Sequence, residues 1–339
     1  MIYHKKEQKM TNGLQEIPLI NVSNPLDSLD GQHERIERLF ECAHARIPVA
    51  LLRWGDKSSR AWFVKSKNPY LDELDEIARI VNRPGCYALN FSFEWLCTTG
   101  CSKGSQTDAP RMYRTLDWVF NVGGEVVVTR HEGNAGDYFN IGWPGYVGVL
   151  TGLAPGRFAA AINQAPMSYA LGRYSLGILL DWFVNRRRVA RRRSLPPSHL
   201  LRRMFESCRD YTEAKEMLTH TPLCIPAIFT LSGAHAGESC VIERMEESAV
   251  VHEGDVAAAN HWVSPRFHGR ERPWQSRQRR ERMLDFLASP ENGWLATPIL
   301  NKHTCLIMEM NAGTGSLFVR GVHGEEVLTN DFRINPSAA

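Results

Sequence analysis

Cys97-Thr98-Thr99-Gly100, followed later by Tyr113-Arg114-Thr115-Leu116-Asp117-Trp118, is the stretch from which the reading of this chain starts. Arg114 stands seventeen residues after Cys97, and Asp117 twenty. A thiol, an arginine and an aspartate in that order suit a hydrolase that cuts its own chain before the cysteine. The new N-terminus then supplies nucleophile and base from one residue. The thiol attacks, and the freed α-amine, with a reference pKa of about 8, takes the proton. A nearby arginine lowers the thiol pKa, and a carboxylate fixes and orients the ammonium. Residue type alone also allows a buried structural cysteine, the commoner fate of a free thiol. The decision therefore falls to the rest of the chain.

Several further segments lie in a fixed order around that stretch. They are Leu89-Asn-Phe-Ser-Phe-Glu-Trp-Leu96, Gly145-Tyr-Val-Gly-Val-Leu-Thr-Gly-Leu-Ala-Pro-Gly-Arg-Phe158 and Ala161-Ile162-Asn163. Downstream come Asp210-Tyr-Thr-Glu-Ala-Lys-Glu-Met-Leu-Thr219, Ala227-Ile-Phe-Thr-Leu-Ser-Gly233, Gly237-Glu-Ser-Cys-Val-Ile-Glu-Arg244 and Pro298-Ile-Leu-Asn-Lys-His-Thr304. Together they resemble the acid ceramidase and N-acylethanolamine acid amidase branch of the choloylglycine-hydrolase-type enzymes. The resemblance implies an α+β fold, the four-layer αββα sandwich of the N-terminal-nucleophile hydrolases. It divides the chain into a mostly helical segment, 1–96, and a catalytic domain, 97–339, that begins at the nucleophile.

The resemblance also assigns roles. Cys97, Arg114 and Asp117 form the catalytic core. Asn260, in Ala258-Ala259-Asn260-His261-Trp262, matches the family's donor to the oxyanion; such a donor contributes roughly 3–4 kcal/mol. Four arginines crowd Ser276-Arg-Gln-Arg-Arg-Glu-Arg-Met283, where the family carries an active-site arginine. Arg279 is the first choice of register and Arg280 the second. Asn163, Gln164 and Trp118 are expected at the substrate. Relatives carry an acid where this chain has Gln164, which can hydrogen-bond but cannot hold charge. Phe91, Phe93, Trp95, Trp118 and Phe120 line an acyl pocket or simply fill the core. His261 and His303 would offer a Cys–His dyad, which the α-amine chemistry does not need.

Composition fits a globular enzyme. At 339 residues the chain can bury a large core, and 43% hydrophobic with 23% charged residues is ordinary for such a protein. The net charge of +3 excludes a global polyelectrolyte role, and no nucleic-acid partner is expected. No apolar run is long enough for a membrane span, and the polar start shows no signal-peptide core. Eight scattered cysteines include no CxxC pair, so neither zinc nor any other metal is expected, and the chemistry needs no organic cofactor. Reduced thiols and a cytoplasmic location follow as expectations, unlike the disulfide-bonded lysosomal animal relatives.

Arg186-Arg-Arg-Val-Ala-Arg-Arg-Arg193 places six arginines in eight positions; without them the net charge turns to −3. The run reads as a solvated connector or as a contact with an anionic lipid or membrane surface. Helices are expected around Ile36–Ile47, from Asn68 to Pro84, and over Leu176–Val184, Leu200–Cys208, Thr212–Leu218 and Arg277–Leu287. Strands are expected at Gly124–Arg130, Phe158–Ile162, Ala227–Leu231, Cys240–Glu243, Ala249–His252, Thr304–Met310 and Leu317–Gly321. The functional expectation is a self-processing cysteine amidase that opens an N-acyl amide, with a fatty or other apolar acyl group, through a thioester. An acyltransferase of the isopenicillin-N type and a non-catalytic ligand-binding protein on the same scaffold are the alternatives.

Overall fold

Phe158-Ala-Ala-Ala-Ile-Asn-Gln164 is buried at every position, which demands cover on both faces of its strand. A computed structural model, describing residues 13–91, 95–105, 108–175 and 177–335, supplies that cover with two stacked sheets between helices. In chain order the elements begin with β1 (Leu19–Val22), α1 (His33–Arg46), α2 (Val49–Ser66), α3 (Leu71–Val81) and α4 (Cys86–Asn90). Then come β2 (Leu96–Cys101), β3 (Arg111–Asp117), β4 (Val127–His131), β5 (Tyr138–Gly142), β6 (Thr151–Ala154) and β7 (Phe158–Gln164). The central helices are α5 (Ile178–Arg191), α6 (Pro197–Ser207) and α7 (Tyr211–His220). The last part carries β8 (Ala227–Gly233), β9 (Ser239–Arg244), β10 (Ala249–Glu253), β11 (Val256–Ala258), α8 (Ser276–Ala288), β12 (Thr304–Asn311) and β13 (Ser316–His323). Two short strands, β14 (Glu326–Val327) and β15 (Phe332–Ile334), pair with β13.

One sheet runs β1-β4-β5-β6-β7-β8-β9-β10, and the other β11-β2-β3-β12-β13-β14. Period-two alternation sorts β7. Phe158, Ala160 and Ile162 pack under α6 with Leu200, Met204 and Phe205, while Ala159 and Ala161 face Leu116 and Met308 of the other sheet. On the far side α8 lays Met283 and Phe286 over Ala257 and Ile307. The layers are therefore helix, sheet, sheet, helix. The α1–α4 helices form a satellite core around Phe40, Phe63, Leu74 and Ile77. The segment before Cys97 is not all helix, because β1 pairs in parallel with β4.

The structure corrects several local expectations. The strand expected at Gly124–Arg130 begins at Val127, after a 3-10 turn at Gly123–Glu125. A Cβ on Gly123 would collide with the Val322 and Cys305 backbones, so the chain must turn tightly there before the strand starts. The helix expected over Leu176–Val184 runs on to Arg191; Leu176 itself lies outside the described residues. The arginine run is thus mostly helical, as good helix formers without an intervening Gly or Pro allow. The α2 helix has no clear apolar stripe: it exposes Leu51, Trp54 and Val64 and buries Leu52, Trp62 and Phe63.

Candidate active site

In the antiparallel pair of β2 and β3, Cys97 stands opposite Leu116, Thr99 opposite Arg114, and Leu96 opposite Asp117. Alternation puts Cys97, Thr99 and Arg114 on the face toward the first sheet, and Thr98 and Asp117 on the face toward α8. The three-residue step from Arg114 to Asp117 therefore places the two charges on opposite sides of one strand. All of these side chains are fully buried.

Between the sheets, Arg114 Nη2 donates to Cys97 Sγ at 3.0 Å and to the Ile162 carbonyl at 2.7 Å. Its Nη1 donates to Asn163 Oδ1 at 3.0 Å and to Thr99 Oγ1 at 3.3 Å. Asn163 faces inward by the parity of β7. Its amide nitrogen donates to the Ala258 and Ala259 carbonyls at 3.1 and 3.2 Å. It is a wholly buried brace for Arg114. Gln164, the next residue, points the other way, into a mixed polar and apolar cleft of about 880 Å³ under α5 that also holds Arg188, Glu246 and Arg272.

On the other face, Arg279 is held by five groups. Its Nε donates to the Trp274 carbonyl at 2.8 Å. Its Nη1 reaches the Cys97 carbonyl at 2.8 Å, Thr98 Oγ1 at 2.9 Å and Asp117 Oδ2 at 3.3 Å. Its Nη2 donates to Asn260 Oδ1 at 2.9 Å. Asp117 also accepts from Asn301 Nδ2 at 3.1 Å and Thr304 Oγ1 at 2.9 Å. Two backbone features deliver Arg279. Gly100 has no side chain where Met283 lies, so α8 approaches β2 closely, and one turn earlier Arg279 meets Cys97 and Thr98. Before the helix, Trp274 and Gln275 both adopt left-handed backbone, at φ 66° and 55°. Such residues cost of order 1–2 kcal/mol each, and the turn aims the Trp274 carbonyl at Arg279. Arg280, the second choice of register, donates to the Ala257 carbonyl instead.

Asn260 Oδ1 also accepts the Cys97 N–H at 3.1 Å, and its Nδ2 donates to the Gln164 carbonyl at 2.9 Å. Its own N–H donates to Ser276 Oγ, which lies 2.8 Å from His261 Nδ1 as well. His261 thus supports the Asn260 segment, and His303 stacks on Trp274 with centroids 3.7 Å apart. Thr98, Asn301, Thr304, Trp274 and Ser276 were not singled out from sequence. All but Trp274 did stand in quoted segments.

Burial dominates the electrostatics. It pushes the Cys97 thiol up to about 11, and Arg114 and Arg279 pull the other way while Asp117 adds to the rise. Burial raises the Asp117 carboxyl, and Arg279 chiefly opposes this. Both arginines are lowered by burial and restored in part by Cys97 and Asp117. Next to this polar cluster lies a narrow apolar cavity of about 70 Å³. Trp95, Trp118, Phe120, Trp143 and Leu150 wall it on one side, and α1 closes it with Leu39 and Phe40. Phe91 belongs instead to the cleft under α5, and Phe93 lies outside the described residues.

Residues 98–270, just over half of the chain, match the linear amide C–N hydrolases of the choloylglycine hydrolase family. The chain belongs to this family. Human acid ceramidase is 37% identical over 120 residues, which is 35% of this chain and 28% of that protein. The acid ceramidase of Heterocephalus glaber is 32% identical over 172 residues, 47% of this chain and 41% of that one. The chain thus aligns with less than half the length of these relatives. Among solved structures, a Caenorhabditis elegans ortholog of N-acylethanolamine-hydrolyzing acid amidase superposes with a TM-score of 0.47 at 19% identity, over 64% of this chain and 93% of that one. A conjugated bile acid hydrolase of Clostridium perfringens gives 0.45 at 11%, over 70% and 92%. The region matched to the choloylglycine hydrolase family contains Arg114, Asp117, Asn163 and Asn260. It starts one residue after Cys97 and ends before Arg279. All eight cysteines are free, and no described helix is long and apolar enough to cross a membrane.

Proposed function

We propose that this chain is a self-processing cysteine amidase that cuts itself between Leu96 and Cys97. It then hydrolyses the linear C–N bond of an N-acyl amide with an apolar acyl group. The observation that carries the reading is the double hold on Cys97. Its Sγ sits 3.0 Å from the Arg114 guanidinium, and its backbone nitrogen, the future α-amine, is bonded to Asn260.

In processing, Cys97 Sγ attacks the Leu96 carbonyl carbon. The C–N bond breaks, the nitrogen gains a proton and becomes the α-amine, and a thioester joins Leu96 to Sγ. Water hydrolyses that thioester and frees the thiol. In turnover the α-amine takes the thiol proton, and Arg114 stabilises the thiolate. The thiolate attacks the substrate carbonyl. Asn260 Nδ2 turns from the Gln164 carbonyl to the developing oxyanion. The α-ammonium gives its proton to the leaving amine, and water releases the acid. Arg279 and Asp117 position this centre: one guanidinium ties the Cys97 carbonyl, Thr98, Asn260 and the carboxylate together.

Separation at Leu96 also frees the end that carries Trp95 in the cavity wall. Cys97 is fully buried while the chain is intact, so cleavage and substrate access are coupled. The apolar lining supports an aliphatic acyl group. Trp118 contributes to that lining, and Gln164 faces the cleft on the other side, where the amine half would leave. Eight free thiols fit a reducing compartment such as the cytoplasm.

Intact-mass analysis tests the reading. The purified chain should resolve into two fragments, the second starting Cys-Thr-Thr-Gly. Cys97→Ala should stay whole and inactive, and Cys101→Ala should process. Full activity from an uncut chain would overturn the proposal. Added amines that trap the acyl group faster than water would move it to an acyltransferase.

A further inference from the structure

Strand β9 carries one carboxylate, Glu243, and buries it completely. Alternation sorts the strand. Cys240 and Ile242 pack toward α7 with Tyr211 and Leu218, while Val241 faces the other sheet with Val256, Ala258 and Trp262. Glu243 shares the Val241 face and so lies between the sheets. Arg244 lies on the opposite face, where it donates to the Leu218 and Thr221 carbonyls at the end of α7. A carboxylate stays ionised in such a place only when hydrogen bonds or opposite charge replace its water.

The replacements come from one turn of chain. The Val263 N–H donates to Glu243 Oε1, and the Ser264 N–H donates to Oε2 at 2.9 Å. His252 of β10, its side chain 32% exposed, brings Nε2 within 3.1 Å of Oε2. Val263 and Ser264 follow Asn260 by three and four residues. Between them His261 Nδ1 lies 2.8 Å from Ser276 Oγ, and Trp262 packs on Phe267 with centroids 5.3 Å apart. From the end of β11 at Ala258 to the start of α8 at Ser276 the chain has no strand or helix of its own. The Asn260 segment is instead pinned at two points, by Ser276 at the Asn260 N–H and by Glu243 at the exit.

We propose that Glu243, held by His252, is the positioning residue for Asn260: its carboxylate fixes the Val263–Ser264 turn and so aims the Asn260 amide at the substrate carbonyl. This rests on the reading of Asn260 as the oxyanion donor. In turnover the Asn260 Nδ2 exchanges the Gln164 carbonyl for the oxyanion, and a side chain that changes partners needs a backbone that stays in place. A displacement of about 1 Å can cost about 100-fold in rate. Two N–H donors on one turn call for two acceptor oxygens. Glutamate offers both, whereas glutamine offers one and turns an amide nitrogen toward the other N–H. Glu243 touches no reacting atom and acts only through Asn260.

A double-variant cycle on the full chain tests this, with E243Q, N260A and E243Q/N260A acting on a short soluble N-acyl amide. Rates are counted per chain separated before Cys97, and the rate of separation replaces kcat where a variant stays uncut. N260A should lower kcat by about 100-fold or more. E243Q should lower it by about 10-fold to 100-fold, with KM within about twofold. The double variant should be no slower than N260A alone, because no side chain is left to aim. A merely structural role would instead multiply the two losses and overturn the proposal. E243Q at wild-type kcat beside a slow N260A overturns this proposal alone. N260A at wild-type kcat overturns the assignment of Asn260 and this proposal with it. If circular dichroism shows E243Q unfolded, His252→Leu on the partly exposed strand carries the test. Its kcat should fall by about threefold to tenfold and recover in His252→Gln, which still donates. No loss in His252→Leu then overturns the proposal.

Discussion

Arginine is used in two opposite ways in this molecule. Around Cys97, Arg114 and Arg279 are fully buried, and each guanidinium is held by several named acceptors. On α5, Arg186 and Arg187 lie at the surface over Trp54, Trp182 and Phe183. The buried pair gave up hydration, which is tolerable only because carbonyls, hydroxyls and Asp117 replace it. The surface group kept its hydration and gave up nothing. Removing a buried arginine should therefore damage the fold and the chemistry together. Removing surface ones should damage neither.

The largest expected effect comes from Arg279→Leu. It leaves Asp117 buried without its cation and strips the Cys97 carbonyl and Asn260 of a donor. Breaking a buried pair in this way costs about 3–5 kcal/mol. Chemical denaturation should show that drop, and intact mass should show no cleavage. A variant as stable as wild type would mean that the carboxyl holds a proton and the arginine network is dispensable.

Asp117→Asn comes next. The neutral amide keeps the shape, and Arg279 keeps its carbonyl and hydroxyl acceptors, so the cost should be smaller, about 1–3 kcal/mol. Processing should still fail, because Arg279, which ties the Cys97 carbonyl to Asn260, loses its counter-charge. If both variants cost the same, the ion pair rather than the wider arginine network holds this site.

The interior's intolerance of charge can also be titrated. Burial pushes His199 down to about 3, and His131 and His261 down to about 4, from an ordinary 6.5. Below pH 6.5 the unfolded chain binds protons that these folded sites refuse. Their contribution is present above pH 6.5 and is lost as pH falls through the folded values. Asp117, raised by burial, works in the opposite sense but is a single group. Thermal unfolding between pH 7 and pH 4 should show a falling Tm, and His131→Gln should flatten the fall. A Tm that stays level to pH 4 would mean these rings take up protons without opening the fold.

The smallest effect is expected on α5. Replacing Arg186 and Arg187 by Ser should change stability by no more than about 1 kcal/mol. The cation–π contacts with Trp54 and Trp182 set the upper bound, since exposed pairs of this type are worth about 0.5–1 kcal/mol. A larger loss would show that Arg186 is a structural clamp between α2 and α5, and would bring the two classes of arginine closer together.

Much of this was legible before the structure, in proportion to how local each signal is. The strands Ala227–Gly233 and Ser239–Arg244, and the helices Pro197–Ser207 and Ser276–Ala288, follow from apolar periodicity within a window of a dozen residues. The α2 helix was missed because Trp54 and Trp62, both apolar, have different surroundings, one in solvent and one in a core. Sequence cannot tell a buried tryptophan from an exposed one. At the site, Cys97, Arg114 and Asp117 were legible through their order and the family resemblance. Asn301, Thr304 and Trp274 were not, because each meets the site through a contact spanning many residues of chain.

By itself the sequence determined which groups were available: one thiol in register with an arginine and an aspartate, an asparagine after a strand, an arginine-rich helix, and a basic run elsewhere. These follow from residue type and spacing, and spacing on a single strand already fixes which side each group faces. Only the tertiary structure decided what those groups touch. It closed Arg279 onto the Cys97 carbonyl from 182 positions away, put Asn163 between the sheets and Gln164 outside them, and left Leu179 in solvent while sealing Cys97 from it. The reason is that burial and pairing depend on which elements stack together, and stacking is settled by the whole set of apolar faces at once rather than by any one of them.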